Sequence, residues 1–146
     1  MPSQLFSKSI LPVAIDASRE GAQLFLCPIP AGWPSPAEDY VEDTLDLHKF
    51  AVRNEAATFF LRASGDSMTG AGIHDGDILV VDRSISPVSG KVVIIAIDGE
   101  LTVKRLVKKG KRLLLIPENP RYEPIDITHH EDTRIWGVVT YALHSL

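Results

Sequence analysis

From residue 58 onward the chain breaks into short apolar runs rich in β-branched residues, at 58–63, 78–83, 92–97, 101–107, 112–116 and 135–143, separated by Gly, Pro and Asp. Runs of this length without a helical period predict six strands of a mostly β domain. Asp98-Gly99 lies between two of them and predicts a two-residue hairpin, because a type I′ turn needs positive φ at both central positions. Lys109-Gly110-Lys111 is expected to turn the next pair. Within 101–107, alternation places Leu101, Val103, Arg105 and Val107 on one face and Thr102, Lys104 and Leu106 on the other.

The first part of the chain has another character. Six of the ten prolines fall within the first 36 residues, and proline has no N–H to give to a ladder, so an extended arm is expected there rather than a sheet interior. Ser35-Pro36-Ala37-Glu38 has the form of a capping box, a serine cap with proline at the first helical position and an acid three residues beyond the cap. It predicts a short acidic helix through about Asp43. Asp46 is placed to cap a further turn or two over Leu47-His48-Lys49-Phe50. The expected organisation is an extended arm over 1–31, an acidic linker with a short helix over 32–46, and a β-rich domain over 47–146.

Composition narrows the function classes. The chain has 146 residues, 45% hydrophobic and 23% charged, with a net charge of −4. That suits one domain with an arm and lacks the basic footprint of an independent DNA binder. Residues 1–46 hold two basic and seven acidic groups, against thirteen and twelve in the remainder, so the two parts differ in charge as well as pattern. A single cysteine, Cys27, allows no internal disulfide and fits a reducing cytoplasm; among Phe25, Leu26 and Ile29 it reads as a packed side chain. The longest apolar run, 92–97, is far below the roughly 20 residues of a membrane-spanning helix, and Pro12 and Asp16 interrupt the only segment resembling a leader.

Candidate chemistry centres on Ala63-Ser64-Gly65-Asp66-Ser67-Met68-Thr69-Gly70, where a predicted strand ends in a turn flanked by glycine. Serines are ordinary turn formers, so this segment alone says little. A strand lysine is ordinarily solvated. If the face shared by Lys104 and Leu106 is covered, however, the amine loses solvation, its pKa falls and it can act as a general base toward Ser67. Other templates fit less well. Thr69 stands where a G-x-S-x-G elbow needs glycine, Gly70-Ala71-Gly72-Ile73 is a poor helix start, and no serine has a lysine three positions later. His48, His74, His129, His130 and His144 show neither paired metal spacing nor an aspartate-oriented base, and His129-His130 reads as a loop. No zinc site and no cofactor is expected.

These residues resemble the UmuD-like proteins, relatives of LexA among the serine/lysine self-cleaving peptidases. The likeness runs from Ala31 to Val139 in ordered blocks: Ala31-Gly32 with the following Trp33-Pro34-Ser35-Pro36-Ala37-Glu38-Asp39-Tyr40-Val41; Ala63-Ser64-Gly65-Asp66-Ser67-Met68; Gly72-Ile73-His74-Asp75-Gly76-Asp77-Ile78-Leu79-Val80-Val81-Asp82; Asp98-Gly99-Glu100-Leu101-Thr102-Val103-Lys104-Arg105-Leu106; Ile116-Pro117-Glu118-Asn119-Pro120; and Trp136-Gly137-Val138-Val139.

The resemblance implies a compact β domain like those of LexA and the signal peptidases, with an extended N-terminal arm and one or two short helices. It further implies that Ser67 attacks the bond between Ala31 and Gly32, that Lys104 takes the serine proton, and that the backbone N–H groups of Asp66 and Ser67 hold the oxyanion. The partners implied are a second copy of the chain, the RecA filament on single-stranded DNA, and a translesion polymerase of the UmuC type. No membrane and no sequence-specific DNA contact is implied. The basic residues Lys104, Arg105, Lys108, Lys109, Lys111 and Arg112 suit either a filament contact or a solvated hairpin, and Trp136 suits either core or a dimer edge. Two alternatives stand beside this one. A LexA-like repressor would need a DNA-binding domain for which the 31 residues before Gly32 leave no room. A non-catalytic β-barrel binding module would make the Ser67–Lys104 pairing a coincidence.

Overall fold

The computed structural model describes residues 21–25, 29–33 and 41–146. Contacts divide the chain into two units, Met1–Phe50 and Ala51–Leu146.

In the first unit, β1 (Ala22–Phe25) pairs antiparallel with β2 (Val41–Leu45), with Gln23 opposite Thr44 and a bulge between Leu24 and Phe25. This corrects the expected acidic helix. Its capping box at 35–38 lies outside the described residues, but Val41, Glu42 and Asp43 form a strand. The reason is tertiary: β-branched Val41 and Thr44 suit an extended backbone, and β1 supplies a partner that no local pattern announces. The arm, correspondingly, contributes a ladder strand. The expected cap at Asp46 is present. Its Oδ1 accepts the Lys49 N–H at 3.2 Å, and its carbonyl accepts the Phe50 N–H at 2.9 Å, opening α1 (Leu47–Ala51).

The second unit is one seven-stranded antiparallel sheet. In chain order its strands are β3 (Thr58–Arg62), β4 (Ile78–Asp82), β5 (Val92–Ile97), β6 (Glu100–Lys109), β7 (Arg112–Ile116), β8 (Ile125–Asp126) and β9 (Thr133–Leu143). Their spatial order is β3-β4-β9-β5-β6-β7-β8. All six predicted strands are present, and β8 is an addition too short to carry a period. The β5–β6 hairpin closes at Asp98 and Gly99, with φ of 50° and 83°, the left-handed pair that a two-residue turn of this type demands.

Strand β5 explains why residues 92–97 are apolar without alternation. Ile94 packs into a cluster with Ala63, Met68, Ile73, Leu79 and Val81, while Val93 and Ile95 pack into another with Leu106, Leu115, Ile127 and Val138. Both faces of the strand are covered, so neither can be polar. The ladders of β9 shift register against β4 between Val80 and Val81, and against β5 between Ile94 and Ile95, as bulges do. No helix among the described residues is long and apolar enough to cross a membrane.

Candidate active site

Two elements bring the candidate residues together. Ser67 stands between the end of β3 and a single 3₁₀ turn at Thr69–Ala71. It is anchored by its neighbour Met68, which is 2% exposed in the first apolar cluster and whose carbonyl accepts the N–H groups of Ala71 and Ile73. Lys104 stands opposite Val93 in the β5–β6 ladder. It is 8% exposed, and Leu106, two residues on, is 3% exposed, so the face that alternation assigned to both is indeed covered.

The Lys104 Nζ lies 2.9 Å from Ser67 Oγ, 3.0 Å from Thr102 Oγ1 and 2.9 Å from the Val103 carbonyl oxygen. An ammonium would donate to all three. A neutral amine, with two N–H bonds and one lone pair, satisfies the same arrangement by donating to Thr102 and Val103 and accepting the Ser67 hydroxyl proton. Burial pushes the Lys104 amine below its ordinary value of 10.5, which favours the second state.

The loop carrying Ser67 is braced from two sides. On one, the Glu118 N–H donates to the Ser67 carbonyl at 2.8 Å, the Gly70 N–H donates to the Glu118 carbonyl at 2.7 Å, and Asn119 Nδ2 donates to the Asp66 carbonyl at 2.8 Å. The Tyr122 hydroxyl donates to the Asp66 carboxylate, and Arg105 holds the Glu118 side chain. On the other side, the Gly65 N–H reaches Asp75 Oδ1 at 2.7 Å, and Ala63 exchanges backbone bonds with Gly76 and Asp77 at 2.9 and 2.8 Å. The carbonyls of Asp66 and Ser67 are thus engaged by residues 118 and 119. Their N–H groups meet no acceptor among the described residues.

Ala31 and Gly32 lie in an exposed bend of the first unit. A Cβ placed on Gly32 would meet nothing within 4 Å.

A comparison with protein families matches residues 24–140 to the Peptidase S24-like model. The chain belongs to that family. It is a UmuD-like member of the LexA/UmuD serine peptidases, as the blocks around Ser67 and Lys104 suggested. It is 50% identical over 123 residues to protein SamA of Salmonella typhimurium, covering 84% of this chain and 85% of that one. To protein MucA of Escherichia coli it is 47% identical over 120 residues, 82% of each. To the LexA repressor of Anaeromyxobacter dehalogenans it is 36% identical over 144 residues, 94% of this chain but 63% of the repressor.

Some residues at the site had no role in the sequence pattern. Thr102 was legible as a same-face neighbour of Lys104, and Glu118 and Asn119 stood in a matched block without an assigned function. The histidines call for a correction. His144 Nδ1 lies 2.6 Å from Asp77 Oδ1, His130 Nε2 lies 3.0 Å from Asp98 Oδ1 and His74 Nδ1 lies 3.8 Å from Asp77 Oδ2, so three of them do have aspartate partners. The first two pairs are separated by 67 and 32 residues, beyond any local spacing rule, whereas His74 and Asp77 are three residues apart. His129 and His130 lie in and beside a turn, as expected.

Proposed function

We propose that the chain is a self-cleaving serine endopeptidase of SOS mutagenesis that cuts between Ala31 and Gly32. The observation that carries this is the 2.9 Å approach of a buried, desolvated amine to a hydroxyl on a Gly-flanked loop. The Ser67 proton passes to Lys104 Nζ as Oγ attacks the Ala31 carbonyl carbon. The N–H groups of Asp66 and Ser67 stabilise the resulting oxyanion. The tetrahedral species collapses as Lys104 returns the proton to the Gly32 nitrogen, the C–N bond breaks, and Ala31 is left esterified to Ser67. Water, deprotonated by the same amine, then hydrolyses the ester.

Membership of the UmuD-like family supports the wider role. In it, the RecA filament on single-stranded DNA promotes cleavage, and the shortened chain serves as a homodimer, in the cytoplasm, beside a UmuC-type translesion polymerase. A non-catalytic module would gain nothing from burying Lys104 against Ser67.

Incubation of the purified chain at alkaline pH tests the reading. Two fragments are expected, the larger beginning at Gly32 by N-terminal sequencing, and Gly32→Glu is expected to prevent them; intact chain after prolonged incubation, or a new terminus elsewhere, refutes the assignment. The cleavage rate should climb with pH as Lys104 loses its proton and level off below pH 10.5, because burial lowers the pKa of this amine. Thr102→Val removes one acceptor that holds the amine in line. It should lower the plateau about fivefold, the value of ~1 kcal/mol for one hydrogen bond. It should also move the midpoint to lower pH, since the ammonium loses more than the amine. An unchanged profile would show that Thr102 does not position Lys104.

A further inference from the structure

Beyond the Ser67–Lys104 pair, the second unit carries a cluster that the peptidase reaction does not use. His74 and Asp77 stand in the turn before β4, and His144 directly follows β9. The Asp77 side chain is 1% exposed, whereas those of His74 and His144 are 48% and 42% exposed. One carboxylate oxygen accepts the His74 backbone N–H at 2.8 Å, and the other lies 2.6 Å from His144 Nδ1. The two imidazoles stack with centroids 4.5 Å apart and planes inclined at 35°. One ligand atom from each of the three residues lies within 4.8 Å of the other two.

That donor set has a definite chemical preference. Two imidazoles and one carboxylate suit borderline divalent ions of the zinc, cobalt and nickel class. Calcium takes six to eight oxygens, and magnesium keeps to oxygen ligands and water. The carboxylate is fixed by the His74 backbone N–H on one oxygen and faces His144 Nδ1 with the other, so it is oriented before any ion arrives. Bonds of about 2.0–2.1 Å require the three donors to draw together. The exposed rings can do so by side-chain rotation, leaving Asp77 in place.

We propose that His74, Asp77 and His144 form a surface site for a zinc-class divalent cation, with water completing its coordination shell. Such an ion would join the end of β9 to the turn that braces Ala63 and Gly65, and so to the base of the nucleophile loop. The site is independent of the cleavage chemistry proposed above and can be tested in a chain that cannot cut itself.

The experiment uses the full chain carrying Ser67→Ala, freed of metal by dialysis against chelator, and titrated with zinc chloride by calorimetry. Cobalt(II) absorption provides a second readout of the coordinating groups. One zinc per chain is expected, with affinity falling at least about tenfold in His74→Ala and in His144→Ala, and unchanged in His129→Ala. Because both altered side chains are nearly half exposed, the variants should keep the circular dichroism of the parent. Absence of one-to-one binding, or binding undiminished when His74 and His144 are both replaced, would overturn the proposal.

Discussion

Replacing Lys104 with methionine should abolish fragment formation while leaving the fold intact or more stable at neutral pH. Loss of a general base costs about 10²- to 10⁴-fold in rate, enough to remove a slow self-cleavage from view, and Ser67→Ala should be equally silent because it removes the attacking oxygen. The stability effect separates a buried base from an ordinary structural lysine. Burial lowers the folded-state pKa of Lys104 below 10.5, so between those two values the unfolded chain binds more protons than the folded one. Wild-type stability therefore rises with pH across that window, and below it the protein bears the full cost of a desolvated ammonium. Methionine fills similar space without that cost. The melting temperature of Lys104→Met should exceed that of the parent at pH 7, and the gap should narrow as the solution becomes alkaline. A destabilised Lys104→Met at neutral pH, or persistent cutting after Ala31, would overturn the role given to this amine.

Gly70→Val should inactivate by a different route. A Cβ at residue 70 would stand 2.6 Å from the Glu118 carbonyl oxygen, the same oxygen that accepts the Gly70 N–H at 2.7 Å. The obstacle is backbone, so relief requires the segment at 118 to move, and with it the Glu118 N–H that holds the Ser67 carbonyl. Overpacking of this kind costs about 1–3 kcal/mol, measurable as a lower urea midpoint. Cleavage should fall by more than the loss of folded protein explains, because the oxygen of Ser67 is displaced from Lys104. Equal cleavage in the folded fractions of parent and variant would show that the brace at Glu118 does not set the position of Ser67.

What could be seen in the sequence depended on how locally each feature is determined. The Asp98-Gly99 turn and the run at 92–97 were legible because a two-residue loop and a strand covered on both faces leave unmistakable composition. The placement of Lys104 beside Leu106 followed from strand alternation alone. Strand β2 was not legible, since its extended state depends on Ala22–Phe25, which carries no strong strand signal of its own and pairs across a long connection. The contacts at Glu118 and Asn119 were hidden for a related reason. Turn residues there bond the backbone of residues 66, 67 and 70, and backbone groups have no identity in a sequence. His74 and His144 meet only because β4 and β9 lie side by side in the sheet.

The bracing of residues 63–70 by residues 75–77 and 118–119 bears on control. The Ser67 hydroxyl and the Lys104 amine are already within hydrogen-bond reach and the backbone around them is bonded, so the proposed activator would have nothing to assemble there. On the function proposed above, an accelerator of cutting would act on delivery of the Ala31–Gly32 bond, and variants that mimic activation are expected in the substrate segment rather than around Ser67.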